Sequence, residues 1–179
     1  MRKIMLIGPG GAGKSTLARH LGAILDIDVI HLDRLFWKPG WIETPRAEWR
    51  TLQQRLVQGE RWIVDGNYGG TLDIRLAAAD TIIFLDLPRW LCLWRVVKRR
   101  VIYAGRARPD MSEGCSEKLD WQFLRWIWQY PRTRRPQILR QLAQLSAQKR
   151  VIRLRSQADV ARFLHEVRLV AVEDQSRRS

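Results

Sequence analysis

A glycine-rich segment near the N-terminus has the spacing of a phosphate-binding loop. Residues 8–15 read GPGGAGKS and match the pattern G-x-x-x-x-G-K-[ST]. Glycines let successive backbone N–H groups turn toward a phosphate, and a helix that begins at the loop adds the positive end of its dipole. The Lys14 ammonium is expected to reach the β- and γ-phosphates of ATP, and the Ser15 hydroxyl to bind Mg²⁺. The remaining predicted nucleotide contacts of the loop are Gly8, Gly10, Gly11, Ala12, Gly13 and Thr16.

Carboxylate side chains follow three predicted strands, at the edge where a parallel sheet binds its ligands. They belong to Asp33, Asp65 and Asp86. In phosphate-loop proteins, a carboxylate at the end of a neighbouring strand holds the metal ion, directly or through water. Each aspartate can instead bond its own turn or cap a helix. Further side chains beyond the second and third strands are candidates for holding an acceptor: Trp37, Trp41, Asn67, Tyr68 and Arg75.

Four arginines in the C-terminal half are candidates for contacts with a nucleotide. Arg95 and Arg99 are four residues apart on a predicted helix, and like charges at that spacing favour an anion between them. Arg106 and Arg108 stand in a polar segment, residues 104–118, which is predicted to be a short lid. Arginines that arrive with a closing lid stabilise the charge on a transferred phosphoryl group, although a solvated basic face is the alternative. The candidate catalytic residues on the donor side are therefore Lys14, Arg99, Arg106 and Arg108.

The elements that must position these residues predict an α/β fold. Apolar runs predict strands at residues 3–7, 29–32, 62–64, 81–85 and 151–154. Amphipathic spacing and capping residues predict helices at residues 15–25, 44–58, 72–78, 88–103, 119–130, 136–148 and 159–167. Residues 34–43 are predicted to form an aromatic loop, and Pro131 to end the Trp-rich helix. This alternation predicts a P-loop NTPase fold with a five-stranded parallel sheet flanked by helices.

Length and charge bound the class of protein. The 179 residues suit one domain, predicted over residues 1–170, with an acceptor-side segment at 34–59 and a frayed tail at 171–179. The net charge is +14, of which residues 87–179 carry +13, and such an excess favours polyanionic partners. Two cysteines without metal spacing and the lack of a long apolar run predict a cytoplasmic protein that does not span a membrane. We expect a monomer.

Several segments resemble the DNA topology modulation (FlaR-like) family of P-loop kinases, near the adenylate kinase superfamily. They are GPGGAGKSTLA, VIHLDRLFWKPGW, WIVDGNYGGTLDIRL, DTIIFLDLPRWLCLWRVVKRR and RPDMSEGCSEKLDWQFLRWIWQYPR, and the resemblance covers about residues 2–168. The resemblance implies that Asp65, in Val-Asp-Gly, joins the Mg²⁺ sphere. It also implies that Arg95 contacts the nucleotide base, that Arg99 contacts its phosphates and that Arg106 and Arg108 act from the lid.

Similar small-molecule kinases imply a role for Asp33 on the acceptor side. A carboxylate at that place binds an acceptor hydroxyl and can take its proton, which contributes roughly 10²–10⁴-fold to the rate. Residues 34–59 depart from the adenylate kinase pattern, so the acceptor stays unidentified. The leading hypothesis is a kinase that transfers the γ-phosphoryl group of Mg-ATP to a small molecule, with nucleotides and nucleosides among the candidate acceptors. The alternatives are a nucleic-acid-binding ATPase that modulates DNA topology and a nucleotide-dependent switch with little turnover.

Overall fold

A five-stranded parallel sheet forms the centre of the molecule. The computed structural model describes residues 1–103 and 120–176. Within these residues the strands are β1 (Lys3–Ile7), β2 (Val29–His31), β3 (Trp37–Lys38), β4 (Ile42–Glu43), β5 (Trp62–Asp65), β6 (Thr81–Leu85) and β7 (Arg150–Leu154). The sheet has the order β2-β5-β1-β6-β7, and β3 and β4 form a separate antiparallel hairpin. The predicted five-stranded parallel sheet is confirmed.

Helices cover both faces of the sheet. In the described part of the chain they are α1 (Lys14–Leu25), α2 (Leu32–Phe36), α3 (Arg46–Leu56), α4 (Leu72–Ala78), α5 (Arg89–Ile102), α6 (Trp121–Thr133), α7 (Arg135–Leu145) and α8 (Gln157–Ser176). Leu21 of α1 and Phe163 of α8 belong to one core, whereas Trp49 of α3 and Leu142 of α7 belong to the other. None of these helices is both long and apolar enough for a membrane crossing.

The central strand β1 packs against helices on both of its faces, which explains why its apolar run is continuous. Successive side chains of a strand point to opposite faces, so Ile4 and Leu6 enter one core while Met5 and Ile7 enter the other. All four are buried because helices cover both faces of the sheet. The carboxyl ends of β1, β2 and β5 lie side by side at one edge, where the phosphate loop begins.

The aromatic segment at residues 34–43 was predicted to be a loop, and this prediction is wrong. It contains most of α2 and the β3–β4 hairpin. Gly40 and Trp41 turn the chain with φ angles of 81° and 66°. Thr44 then closes the segment, because its backbone N–H and its hydroxyl both donate to the Phe36 carbonyl. This segment is held by contacts to backbone groups, which produce no apolar periodicity in the sequence. A sequence pattern therefore does not reveal them.

Two helix ends also differ from the prediction. Pro131 does not end the Trp-rich helix, since α6 continues to Thr133 and Arg134 N–H donates to the Tyr130 carbonyl. A proline in the last turn removes its own N–H donor and crowds the carbonyl four residues earlier, so it weakens the helix end without stopping it at residue 130. The last helix, predicted to end at residue 167, continues to Ser176 and includes much of the tail predicted to be frayed. Its sequence contains neither glycine nor proline to stop it.

Candidate active site

The phosphate loop joins β1 to α1 through backbone that favours glycine. Gly11 and Gly13 have φ angles of 78° and 93°, in the left-handed region that most other residues avoid. A Cβ atom at Gly11 would collide with the backbone carbonyl of Cys92 in α5, and one at Gly10 would collide with the ring of Phe123 in α6. The glycines therefore let two helices approach the loop closely, besides allowing its tight turn.

Lys14 begins α1, and its ammonium group lies over its own loop. Its Nζ donates to the backbone carbonyls of Gly8 and Pro9 over 3.0 and 3.1 Å. Burial lowers the pKa of Lys14 below its ordinary value, and the negative charges of Asp33 and Asp65 oppose that shift. The fold thus brings the predicted lysine and two of the three strand-end carboxylates into one site.

Two arginines of α5, Arg95 and Arg99, line the cavity beside the phosphate loop. Arg95 Nη1 donates to the Ala12 carbonyl over 3.1 Å. Arg99 lines the same cavity one turn later, and its positive charge contributes to the lowered pKa of Lys14. The other two predicted arginines fall in the predicted lid at residues 104–118, outside the described residues: Arg106 and Arg108.

Asp65, the predicted metal ligand, is buried at the end of β5 and is held by a histidine. His31 Nδ1 lies 2.6 Å from Asp65 Oδ1, and the two residues are register partners in neighbouring parallel strands. Their side chains are 14% and 5% exposed, so the contact is shielded from water. The sequence did not point to His31, because a histidine that ends a three-residue strand looks like any surface histidine.

Asp33 stands in the first turn of α2 and is oriented by a tyrosine. Tyr68 Oη donates to Asp33 Oδ1 over 2.7 Å. Burial, followed by the negative charge of Asp33, raises the pKa of Tyr68 far above its ordinary value. The phenol therefore stays protonated and keeps donating to the carboxylate. Tyr68 was a candidate for positioning an acceptor, and it lines the cavity with its hydroxyl bonded to the candidate base.

Arg75 was a candidate for positioning an acceptor, but it does not line the cavity. The residue is fully buried, and its guanidinium donates to the backbone carbonyls of Gly66, Asn67 and Tyr68 over 2.7, 2.7 and 3.1 Å. Burial lowers its pKa to about 10. The arginine therefore holds the loop after β5 in place. Arginine rather than lysine suits this task because its planar fork offers several donors at once.

Asn67 was also predicted to hold an acceptor, but its amide is bonded to the phosphate loop. Its Oδ1 accepts from the Gly8 N–H over 3.1 Å, and its Nδ2 donates to the Gly8 carbonyl over 2.6 Å. The amide therefore satisfies both polar groups of one glycine in a buried part of the loop. The two residues are 59 positions apart, so no local pattern could reveal the contact.

Asp86, the third strand-end carboxylate, makes a structural ion pair. Arg135 Nε donates to one carboxylate oxygen over 2.8 Å, and Arg153 donates to the other from Nε and Nη2. The aspartate is 8% exposed, and it connects the end of β6 to α7 and β7. Asp86 is therefore occupied by two arginines, whereas Asp65 lines the cavity and is the better candidate for a metal ligand.

One cavity of about 1210 Å³ joins the phosphate loop to the Asp33 side of the site. Its volume exceeds the roughly 300–1,000 Å³ of a typical site for one small molecule. On the loop side its walls include Gly10 to Thr16, Arg95 and Arg99, and on the other side they include Asp33, Trp37, Trp41, Asp65 and Tyr68. Most of the described residues that the sequence predicted for the site therefore meet around one space that is large enough for two ligands.

The donor groups present fit a magnesium ion that is bound mainly through phosphate. In residues 1–103 and 120–176, no group of three histidine, cysteine or carboxylate side chains forms a cage for a metal ion. Mg²⁺ usually needs only one or two carboxylates, because substrate phosphates and water complete its octahedron. Ser15 and Asp65 both line the cavity beside Lys14 and supply oxygen atoms of the required kind.

The sheet order and the phosphate loop after the central strand define a fold, that of the P-loop kinases. No protein-family model matches the chain, and no curated protein sequence matches it. The solved structures similar to it include a shikimate kinase from Acinetobacter baumannii in complex with shikimate, at 17% identity and a TM-score of 0.58. That match covers 97% of this chain and 94% of the other.

Two further structures support the same fold. A gluconokinase from Sinorhizobium meliloti 1021 is 15% identical, with a TM-score of 0.53, and the match covers 99% of this chain and 97% of that one. A putative kinase from Chloroflexus aurantiacus j-10-fl is 12% identical, with a TM-score of 0.50 and coverages of 94% and 98%. These likenesses confirm the predicted fold class, whereas the narrower resemblance to the FlaR-like family stays a prediction.

Proposed function

We propose that the protein is an ATP-dependent kinase that transfers the γ-phosphoryl group of Mg-ATP to a small-molecule acceptor. The observation that carries this proposal is the single cavity between the phosphate loop and Asp33. Phosphoryl transfer requires donor and acceptor to meet in line, and a site that holds both in one space supplies this positioning. The names of two structural neighbours, a shikimate kinase and a gluconokinase, agree with a small acceptor.

The donor side would be formed by the phosphate loop and α5. Backbone N–H groups of the loop and the N-terminus of α1 would bind the phosphates, and the Lys14 ammonium would neutralise the β- and γ-phosphates. Ser15 and Asp65 would hold Mg²⁺, which neutralises developing charge on the phosphoryl oxygens when bound. Arg95 and Arg99 would contact the nucleotide, joined by Arg106 and Arg108 from the predicted lid.

The acceptor side would be formed by residues 34–59 and the loop after β5. Asp33 would accept a hydroxyl proton, and Tyr68 would hold the carboxylate toward the cavity through their hydrogen bond. Trp37 and Trp41 line the same space with their ring centroids 5.3 Å apart. Their faces suit the apolar side of a ring or carbon chain. This wall favours an acceptor that combines a hydroxyl group with an apolar surface.

A second candidate function is the nucleic-acid-binding ATPase of the FlaR-like resemblance. The observation that favours it is a basic face with exposed tryptophans: Trp90 and Trp94 are 63% and 58% exposed, and the Lys98 ammonium lies over the Trp94 ring. Exposed aromatic rings beside cations can stack on bases and neutralise phosphates. We rank this function below the kinase because the face lies on the outside of α5, away from the phosphate loop.

A coupled ADP-release assay tests the proposal. Parent protein is incubated with Mg-ATP and a panel of nucleosides, nucleotides, sugars and small alcohols, with and without duplex DNA. Lys14→Ala should fold normally but lose most of the transfer, because its charge is needed on the β/γ-phosphates. Lys3→Ala is the matched control, since Lys3 lies at the start of β1, at the opposite end from the loop and outside the cavity. Undiminished transfer in the Lys14 variant contradicts the proposal.

Two outcomes separate the candidate functions. ADP release that depends on an acceptor and is unchanged by DNA supports the kinase. Asp33→Asn should then reduce kcat by roughly 10²–10⁴-fold for a hydroxyl acceptor. Mg-ATP should still raise the Tm of that variant, because Asp33 is expected to touch the acceptor rather than the nucleotide. ADP release that requires DNA and responds to no small molecule would instead support the ATPase.

A further inference from the structure

The side-chain amide of Asn67 forms two hydrogen bonds with the backbone of Gly8, one to its N–H and one to its carbonyl. Nδ2 and Oδ1 of Asn67 match the Gly8 carbonyl and N–H in the way that a neighbouring strand would. The pair continues the contact between β5 and β1 beyond its last backbone bond, from Gly66 N–H to the Leu6 carbonyl. Gly8 is buried, so neither of its polar groups can rely on water instead.

The Gly8 carbonyl accepts two hydrogen bonds. One comes from the phosphate loop itself, and the other comes from the loop after β5. Asn67 Nδ2 donates over 2.6 Å and Lys14 Nζ over 3.0 Å. A carbonyl oxygen has two lone pairs, so both are occupied. If Lys14 moves toward a phosphate, Asn67 keeps the buried carbonyl bonded. Without the amide, the departure of Lys14 would leave this oxygen unpaired, which is costly in a buried place.

The segment that carries Asn67 is itself held firmly. Arg75, fully buried in α4, donates to the carbonyls of Gly66, Asn67 and Tyr68. The next residue, Tyr68, orients Asp33. One short loop therefore contacts the phosphate loop through Asn67 and the candidate acceptor base through Tyr68.

We propose that Asn67 is a positioning residue for phosphoryl transfer, because it holds the Gly8 peptide and so frees Lys14 to leave its own loop for the transferred phosphate. The inference rests on the proposed kinase function. Asn67 touches neither reacting group and acts through Gly8 and Lys14. It should therefore affect the rate of transfer more than the binding of ATP or of the acceptor.

The test compares variants at three places. Asn67→Leu keeps a similar side-chain volume without adding charge but loses both hydrogen bonds, and Asn67→Ala removes both hydrogen bonds together with the volume. Tyr68→Phe removes the bond to Asp33 on the acceptor side. Asp80→Ala is a matched structural control, since Asp80 Oδ2 accepts from the N–H groups of Arg2 and Lys3 at the opposite end of β1.

Kinetics give the first readout. Both Asn67 variants should lower kcat on the order of 10- to 100-fold, the effect of one unpaired buried carbonyl, and change KM for ATP by less than about threefold. Tyr68→Phe removes the bond that orients Asp33, so it should lower kcat with a hydroxyl acceptor while leaving Gly8 exchange parent-like. Asp80→Ala should lower Tm with little effect on kcat. A parent-like kcat in Asn67→Leu, or a change confined to KM for ATP, overturns the inference.

Hydrogen exchange of the Gly8 amide, followed by NMR, gives a readout without turnover. Exchange should accelerate at least about tenfold in Asn67→Ala and stay parent-like in Asp80→Ala. Unchanged exchange in Asn67→Ala overturns the inference. A parent protein that neither transfers nor hydrolyses ATP defeats the proposed function, and the inference with it. An active parent whose Asn67 variants match it in kcat defeats the inference alone.

Discussion

Replacing Arg75 with methionine should strongly destabilise the protein, although this residue does not line the cavity. The side chain is fully buried, and methionine fills a similar volume without donors. The carbonyls of Gly66 and Asn67 then lose their bonds to the guanidinium, whereas the Tyr68 carbonyl keeps the N–H of Thr71 at 3.0 Å. Each unpaired buried acceptor costs about 1–3 kcal/mol, so two cost about 2–6 kcal/mol.

Removing a buried charge offsets part of this cost. Burial has already lowered the pKa of Arg75 to about 10, which shows that the folded protein disfavours its charged form. We therefore expect a net loss of about 2–4 kcal/mol in the free energy of unfolding. For a chain of this length, about 2–4 °C per kcal/mol converts the loss to a fall in Tm of about 4–16 °C.

Urea unfolding followed by tryptophan fluorescence measures the loss, and a second arginine provides the control. Arg50 pairs with Asp73 over 2.9 Å, but both side chains are at least half exposed, so Arg50→Met should cost at most about 1 kcal/mol. Arg75→Lys should recover only part of the stability, because one ammonium cannot reproduce the fork that spans three carbonyls. An Arg75→Met variant no less stable than Arg50→Met would refute the reasoning.

Three further predictions concern two groups outside the cavity, Asp86 and Cys92. Asp86→Asn should lower the free energy of unfolding by about 1.5–3 kcal/mol, since two arginines lose a charged acceptor, while ADP release per folded molecule stays unchanged. Burial raises the pKa of the Cys92 thiol above its ordinary value of 9.0, so native protein at pH 8 should be alkylated there far more slowly than urea-unfolded protein, as peptide mapping can show. Because the unfolded thiol ionises first, stability should fall as the pH rises above about 9, and Cys92→Ala should remove that part of the decline.

The phosphate loop was predictable because its chemistry lies in eight consecutive residues. Its glycines, Lys14 and Ser15 lie within one short segment, so their spacing alone identifies the turn. The convergence of Asp33 and Asp65 on this loop was also predictable. Parallel strands end at the same edge, so a residue that follows a buried strand has its place set by the strand.

Tertiary packing decided what the polar side chains around that loop contact. Asn67, Tyr68 and Arg75 were correctly placed beyond a strand, yet all three bond to protein groups that are distant in sequence or to loop carbonyls. His31 became a partner of Asp65 only through the register of β2 against β5. A hydrogen bond depends on the position and direction of both groups to within a few tenths of an ångström. Residue type and spacing specify the element that carries a side chain, and the packing of the elements specifies which partner that side chain meets.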